Sequence, residues 1–81
     1  MNTEELERVM RTALASVAPD LEIDELDAGM LIRDQADFDS MDTLNFAIAL
    51  SRALGIDIPE SDYGRLTSLA ECRRYLAERT G

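Results

Sequence analysis

Residues 40–55 read SMDTLNFAIALSRALG, and this stretch decides the fold. Its apolar residues recur at intervals of three and four, as in an α-helix that buries one side; they are Met41, Leu44, Ala47, Ile48, Leu50 and Leu54. Phe46 and Ala49 widen this apolar stripe, so we expect the helix to be buried on more than one side. Gly55 supplies the left-handed residue with which helices commonly end. The spacing predicts a helix that begins at Ser40 or just after it and ends before Gly55.

The segment before this helix divides into another helix and a long loop. An amphipathic period predicts a first helix over about residues 3–18, with Asn2 and Glu5 spaced as a capping box and Pro19 ending the helix. Residues 19–38 have no sustained period but keep apolar side chains; they are Leu21, Ile23, Leu26, Met30, Leu31, Ile32 and Phe38. We therefore expect a long loop that is pinned across the bundle, with a short helical turn near residues 24–28.

Two further helices are predicted after Gly55. Residues 56–59, Ile-Asp-Ile-Pro, form an extended connector in which Ile58 is the expected anchor, and residues 60–65 form a short helix. Ser68 is expected to cap the last helix, with Glu71 at the capping-box position. The pattern predicts an all-α fold, a small four-helix bundle with three longer helices and one short helix. Residues 1–81 are expected to be a single domain.

The composition excludes several classes of function. The chain has no His and one Cys, so it lacks the usual catalytic triads and structural zinc sites. Cys72 is expected to be a small buried core residue. No apolar run approaches the roughly 20 residues that span a bilayer, and the N-terminus lacks the features of a signal peptide. We expect a cytoplasmic monomer that is not an enzyme, with no catalytic residue and no bound metal.

The net charge of −9 bears on the choice of partner. It repels nucleic acid and attracts proteins with basic patches. The same charge can also serve solubility alone, and composition does not separate the two.

Ser40 lies where the long loop meets the start of the buried helix. On spacing alone it is an ordinary N-cap. A phosphate attached to its hydroxyl would also be favourably placed, because unpaired N–H groups and the positive end of the helix dipole lie there. The neighbouring Asp39 opposes a phosphate slightly and is better suited to a basic group or metal on a modifying enzyme.

The ordered elements from Phe38 onward resemble the acyl carrier protein family. The family's attachment motif is Asp-Ser-Leu, often followed by an acid, and residues 39–42 here read Asp-Ser-Met-Asp. A hydrophobic second helix, an Ile-x-Ile-Pro-like connector, a short third helix and a Thr- or Ser-capped last helix follow in the family and in this chain. The resemblance covers nearly the whole chain.

This resemblance implies a covalent cofactor and a set of partners. Ser40 would carry 4'-phosphopantetheine, installed from coenzyme A by a phosphopantetheinyl transferase, and the thiol of that arm would hold cargo as a thioester. Asp39, Met41, Asp42 and Glu60 would face partner enzymes that load, elongate or transfer the cargo and that carry basic docking patches.

Departures from the family leave the pathway and the cargo open. The second helix of fatty-acid carriers is usually rich in Glu on its exposed face, but Asn45, Ser51 and Arg52 stand there in this chain, and Gly64 replaces a frequent acid of the third helix. These differences favour a specialised fatty-acid, lipid or polyketide pathway. Met after the serine also occurs in D-alanyl carrier proteins, so an aminoacyl carrier is an alternative. An unmodified acidic helical adaptor protein is another.

The acids around Ser40 do not follow the pattern of a calcium-binding loop. An EF-hand starting at Asp37 would need an oxygen ligand at its fifth position and Gly at its sixth, where Met41 and Asp42 stand. Weak binding of divalent ions by the loop acids stays open.

Overall fold

The computed structural model describes residues 2–81, which form a small helical bundle. Helix α1 spans Thr3–Val17, α2 spans Ser40–Leu54 and α3 spans Leu69–Thr80. Between α2 and α3 lies a short 3₁₀ helix, Glu60–Leu66, here called the short helix. The all-α fold predicted from the periodicity is confirmed.

One apolar core holds the helices together. Phe46 of α2 is fully buried and meets the ring of Phe38 edge to face, with the ring centroids 6.4 Å apart. The other buried apolar residues come from all three long helices, the loop, the connector and the short helix; they are Leu6, Met10, Ala13, Leu14, Ile32, Ala47, Leu50, Ile58, Leu66, Leu69, Cys72, Tyr75 and Leu76. Cys72 and Ile58 therefore have the buried positions that were expected for them.

The loop between α1 and α2 is fastened to the start of α3. The N–H of Ile32 donates to the carbonyl of Thr67 at 2.8 Å, and the N–H of Ala70 donates to the carbonyl of Ala28 at 2.9 Å. The Ile32 side chain is fully buried, whereas Met30 is 47% exposed. The expectation of a pinned loop is confirmed, although Met30 does not contribute to its anchoring.

Several details of the secondary structure differ from the expectations. Helix α1 ends at Val17, one residue early, because Ala18 has left the helical region with φ −134° and ψ 75°. The loop has two 3₁₀ turns rather than one, at Ile23–Glu25 and Ile32–Asp34. The short helix is 3₁₀ and extends through Leu66.

The predicted burial of Ile48 is wrong, since its side chain is 39% exposed. Ile48 is two residues from both Phe46 and Leu50, and so lies roughly 200° around the helix from each of these core side chains.

At the beginnings of α1 and α3, only one of the two hydrogen bonds of each predicted capping box is formed. Asn2 accepts a hydrogen bond from the Glu5 N–H at 2.8 Å, and Ser68 accepts one from the Glu71 N–H at 3.3 Å. The Glu71 carboxylate turns instead to Arg65 and Arg74.

The described helices are all too short or too polar to cross a membrane.

Candidate functional site

The start of α2 is built by the two acids on either side of Ser40 and Met41. Asp39 is the N-cap, and its Oδ1 accepts a hydrogen bond from the Asp42 N–H at 2.9 Å. The Asp42 Oδ2 accepts one from the Asp39 N–H at 3.1 Å, which completes a capping box. The interpretation of Ser40 as the cap is therefore wrong. Asp39 takes that position because an acid stands three residues after it, at Asp42, to return the bond.

The Ser40 side chain is left free by this arrangement. Ser40 is the first helical residue and is exposed to solvent. Within residues 2–81 its hydroxyl has no hydrogen-bond partner, since the cap is supplied by Asp39. The N–H groups of Ser40 and Met41 belong to the first turn, where backbone donors have no partner inside the helix. An anion attached to the Ser40 oxygen would lie close to these donors.

A groove lies beside Ser40, between α2 and the short helix. Its volume is about 440 Å³ and its lining is mostly apolar; the residues are Arg33, Phe38, Asp39, Ser40, Thr43, Tyr63, Gly64 and Thr67. The Thr43 and Thr67 hydroxyls donate to the carbonyls of Asp39 and Gly64, at 3.3 and 2.8 Å. The charged residues in the lining of the groove are Arg33 and Asp39.

The groove wall formed by the short helix is fixed to α3 through Tyr75. The Tyr75 hydroxyl donates to Asp62 at 2.7 Å and accepts from Arg79 at 2.7 Å. Burial, reinforced by the bond to Asp62, raises the pKa of this phenol. Arg65 adds ion pairs from the short helix to Glu71 and Glu78 of α3.

Only part of the predicted site is gathered at the groove. Asp39 and Ser40 line it, but Asp42, Met41 and Glu60 do not. Met41 is 60% exposed at the beginning of α2, and Glu60 is exposed at the beginning of the short helix. Met41 and Glu60 are therefore surface side chains of two different helices, outside the groove that contains Ser40.

Asp42 lines a second, acidic cleft of about 610 Å³ between the end of α1 and the loop. The acids in its wall are Asp20, Glu22, Glu25, Asp37 and Asp42. Across the described part of the chain, no three acidic or thiol side chains are grouped closely enough to hold a metal ion.

The sequence interpretation missed Arg33. This residue comes seven positions before Ser40 and belongs to the loop turn Ile32–Asp34. Its place at the groove depends on the hydrogen bond from Ile32 to Thr67, a contact between distant segments that no local pattern indicates.

Two comparisons with known proteins give no relative. A scan against models of protein families finds no match, and a search of curated proteins finds no significant similarity.

Proposed function

We propose that this protein is a carrier that holds a thioester-bound intermediate on a 4'-phosphopantetheine arm attached to Ser40. The observation that carries the proposal is the exposed and unbonded Ser40 hydroxyl in the first turn of a buried helix. A serine needed only to start the helix would use its oxygen as the cap, but here Asp39 does so. The hydroxyl is thus left available to a modifying enzyme.

The residues present fit such an arm. The free N–H groups of the first turn favour a phosphodiester on Ser40, and the mostly apolar groove beside it, with Phe38 and Tyr63 in its wall, suits an aliphatic chain. When bound, the arm would supply a terminal thiol, which forms thioesters with carboxylic acids.

The attachment reaction balances with coenzyme A as the co-reactant. The Ser40 Oγ attacks the phosphorus that bears the pantetheine, so that an Oγ–P bond forms and the P–O bond to adenosine 3',5'-bisphosphate breaks. The hydroxyl proton passes to a base on the transferase, since residues 2–81 contain no His and none of their side chains accepts a hydrogen bond from Oγ.

The surroundings of Ser40 suggest how partner enzymes dock. The exposed Met41 offers an apolar contact, while Asp39, Asp42 and Glu60 present negative charge to basic patches. We propose a cytoplasmic monomer that serves a phosphopantetheinyl transferase and acyl-loading, elongating or transferring enzymes of a specialised fatty-acid, lipid or polyketide pathway. Aminoacyl cargo is the alternative for the same chemistry.

The test is intact-mass analysis after incubation with coenzyme A, Mg²⁺ and a broad-specificity phosphopantetheinyl transferase. We expect the mass to increase by one phosphopantetheine in the native chain and not in Ser40→Ala. Ser61→Ala is the matched control, because Ser61 is an exposed serine of the short helix and should leave the modification intact. No mass increase, or an increase that persists in Ser40→Ala, would overturn the proposal.

An unmodified adaptor is the second candidate, and the acidic cleft that contains Asp37 and Asp42 favours it. In that case Ser40→Ala would keep function intact, whereas Asp37→Lys would weaken the binding of a basic partner in a salt-dependent way. The carrier predicts the opposite effect of Ser40→Ala.

A further inference from the structure

The arginines divide into a paired group and an unpaired group. The eight basic residues are all Arg, and five of them form ion pairs; these are Arg11, Arg65, Arg73, Arg74 and Arg79. Within the described chain, the remaining three have no acidic partner, although acids outnumber bases 17 to 8. Arg33 lines the groove beside Ser40, and Arg8 and Arg52 line a different one.

The groove that contains Arg8 and Arg52 lies between α1 and α2, and is here called the α1/α2 groove. Its volume is about 530 Å³ and its lining is mostly apolar; the residues are Arg8, Val9, Thr12, Ala13, Ser16, Ala49, Arg52 and Ala53. It shares no lining residue with the groove beside Ser40.

The charge of this groove is opposite to that of the molecule. Among the described residues its lining has two arginines and no acid, whereas five acids line the cleft at the C-terminal end of α1. Residues 43–56, which supply one wall, contain no acid and a single base, Arg52. A chain with a net charge of −9 thus has a mostly apolar groove whose charged residues are both basic.

We propose that the α1/α2 groove binds an amphipathic helix of a partner protein, with an apolar ridge and carboxylates along its edges. The carboxylates would pair with Arg8 and Arg52, and the ridge would pack between the two helices. This binding does not depend on a modification at Ser40.

The shape of the groove fits a helix. Apart from Arg8, Arg52 and Val9, the side chains that line it are short, so another backbone can approach closely; they are Thr12, Ala13, Ser16, Ala49 and Ala53. From Arg8 to Ser16 the groove follows α1 for roughly 12 Å, a little over two helical turns. A partner segment of about four turns would cover it and reach both arginines.

Two other occupants fit less well. A symmetric dimer through this groove would bring the same surface of two chains together, so that Arg8 and Arg52 of each would face like charge. An anionic membrane would be repelled by the net charge of −9, and the short side chains of the groove offer little to insert.

The test uses two synthetic helical peptides of about 18 residues with the same Leu/Ala ridge, flanked by Glu in one and by Lys in the other. Binding to the ¹⁵N-labelled chain is followed by chemical shifts in about 150 mM salt, where the field of distant charges is largely screened. We expect the Glu peptide to shift the amides of Thr12, Ala49 and Ala53. The Lys peptide should shift residues of the acidic cleft instead.

Two charge reversals locate the interaction. The double variant Arg8→Glu/Arg52→Glu should weaken the binding of the Glu peptide by at least about ten-fold, since two attractive pairs become repulsive. Arg33→Glu makes the same change at an unpaired arginine of the other groove and should have little effect. Arg8→Ala/Arg52→Ala serves as a milder pair if the reversals alter the circular dichroism spectrum.

Several results would overturn the proposal. These are shifts outside the groove, equal weakening by Arg33→Glu, or no binding of the Glu peptide at millimolar concentration. Sedimentation of the chain alone tests for a second copy, and flotation with phosphatidylglycerol vesicles tests for a lipid surface. If the chain associates with itself or with the vesicles, and the double variant does not, then that second copy or lipid surface is the occupant of the groove and the partner helix is not.

Discussion

Asp39 and Asp42 each accept a hydrogen bond from the other's backbone N–H, at 2.9 and 3.1 Å, across the start of α2. These acids flank Ser40, so they belong to the helix terminus as well as to the surface that a partner would meet. A substitution at either one changes both roles unless it preserves the cap.

Asp39 offers a way to separate the two roles. Asp39→Ala should lower the free energy of unfolding by about 1 kcal/mol, because it leaves the Asp42 N–H unpaired, whereas Asp39→Asn keeps a capping oxygen and should cost much less. Urea denaturation of the unmodified protein measures the difference. Both variants should be modified more slowly by the transferase if the charge guides docking. Equal destabilisation by Asn and Ala would contradict the capping role.

Phe46 and Met41 of α2 differ strongly in burial. Phe46→Ala should cost about 3–5 kcal/mol, because it opens a cavity beside Phe38 in the core. Met41→Ala should change stability by no more than about 0.5 kcal/mol, since this side chain is 60% exposed. Thermal or urea unfolding gives both values. A large loss of stability in Met41→Ala would mean that this residue packs against the bundle.

Glu7 makes stability depend on pH. Two hydrogen bonds from Arg73, at 2.6 and 2.8 Å, lower the pKa of this carboxyl below its ordinary value of 4.5. The unfolded chain therefore binds the proton more readily, so the stabilisation is present above pH 4.5 and is lost as the pH falls through the lower native pKa.

Glu7→Gln should therefore be less stable than the native chain at pH 7, by about 0.5–1 kcal/mol for this partly exposed pair. The difference should shrink as the pH is lowered from 4.5, which urea titrations at several pH values would measure. Glu4→Gln is the control, because Glu4 is exposed on the same helix and has no ion pair among the described residues. A Glu7→Gln difference that stays constant down to pH 3 would disagree with this account.

The two glycines Gly55 and Gly64 isolate the effect of backbone conformation. Neither has an atom within 4 Å of an added Cβ, but Gly55 has φ +65° and Gly64 does not have a positive φ. Gly55→Ala should cost about 1 kcal/mol, the left-handed penalty, while Gly64→Ala should stay within about 0.5 kcal/mol. Urea midpoints of the two variants provide the comparison. Similar losses of stability at both positions would contradict the explanation from the positive φ of Gly55.

The sequence predicts the helices well because burial imposes a period on each one. The prediction of helix caps fails where two neighbouring residues are both suited to be the N-cap. Both Asp39 and Ser40 are good caps, and the choice depends on whether Asp42 stands three residues after the cap or two. Ile48 likewise falls on the predicted stripe through its spacing from Leu44, yet it lies away from the core.

The hydrophobic periods of the sequence do not predict the two grooves. Arg33 reaches the groove beside Ser40 through a loop turn held by Thr67, and Arg8 and Arg52 line one groove only because α1 packs on α2. Local patterns do not encode contacts between residues this far apart in the chain.

The buried position of Cys72 has a practical consequence. Its thiol is the chain's only sulfhydryl, and burial raises its pKa to about 12, so it stays protonated near neutral pH and out of reach of reagents. Any sulfhydryl that titrates rapidly with a chromogenic disulfide in the folded protein must therefore come from an added group. A simple colorimetric assay would then count the molecules whose added thiol is free, without labelling the protein.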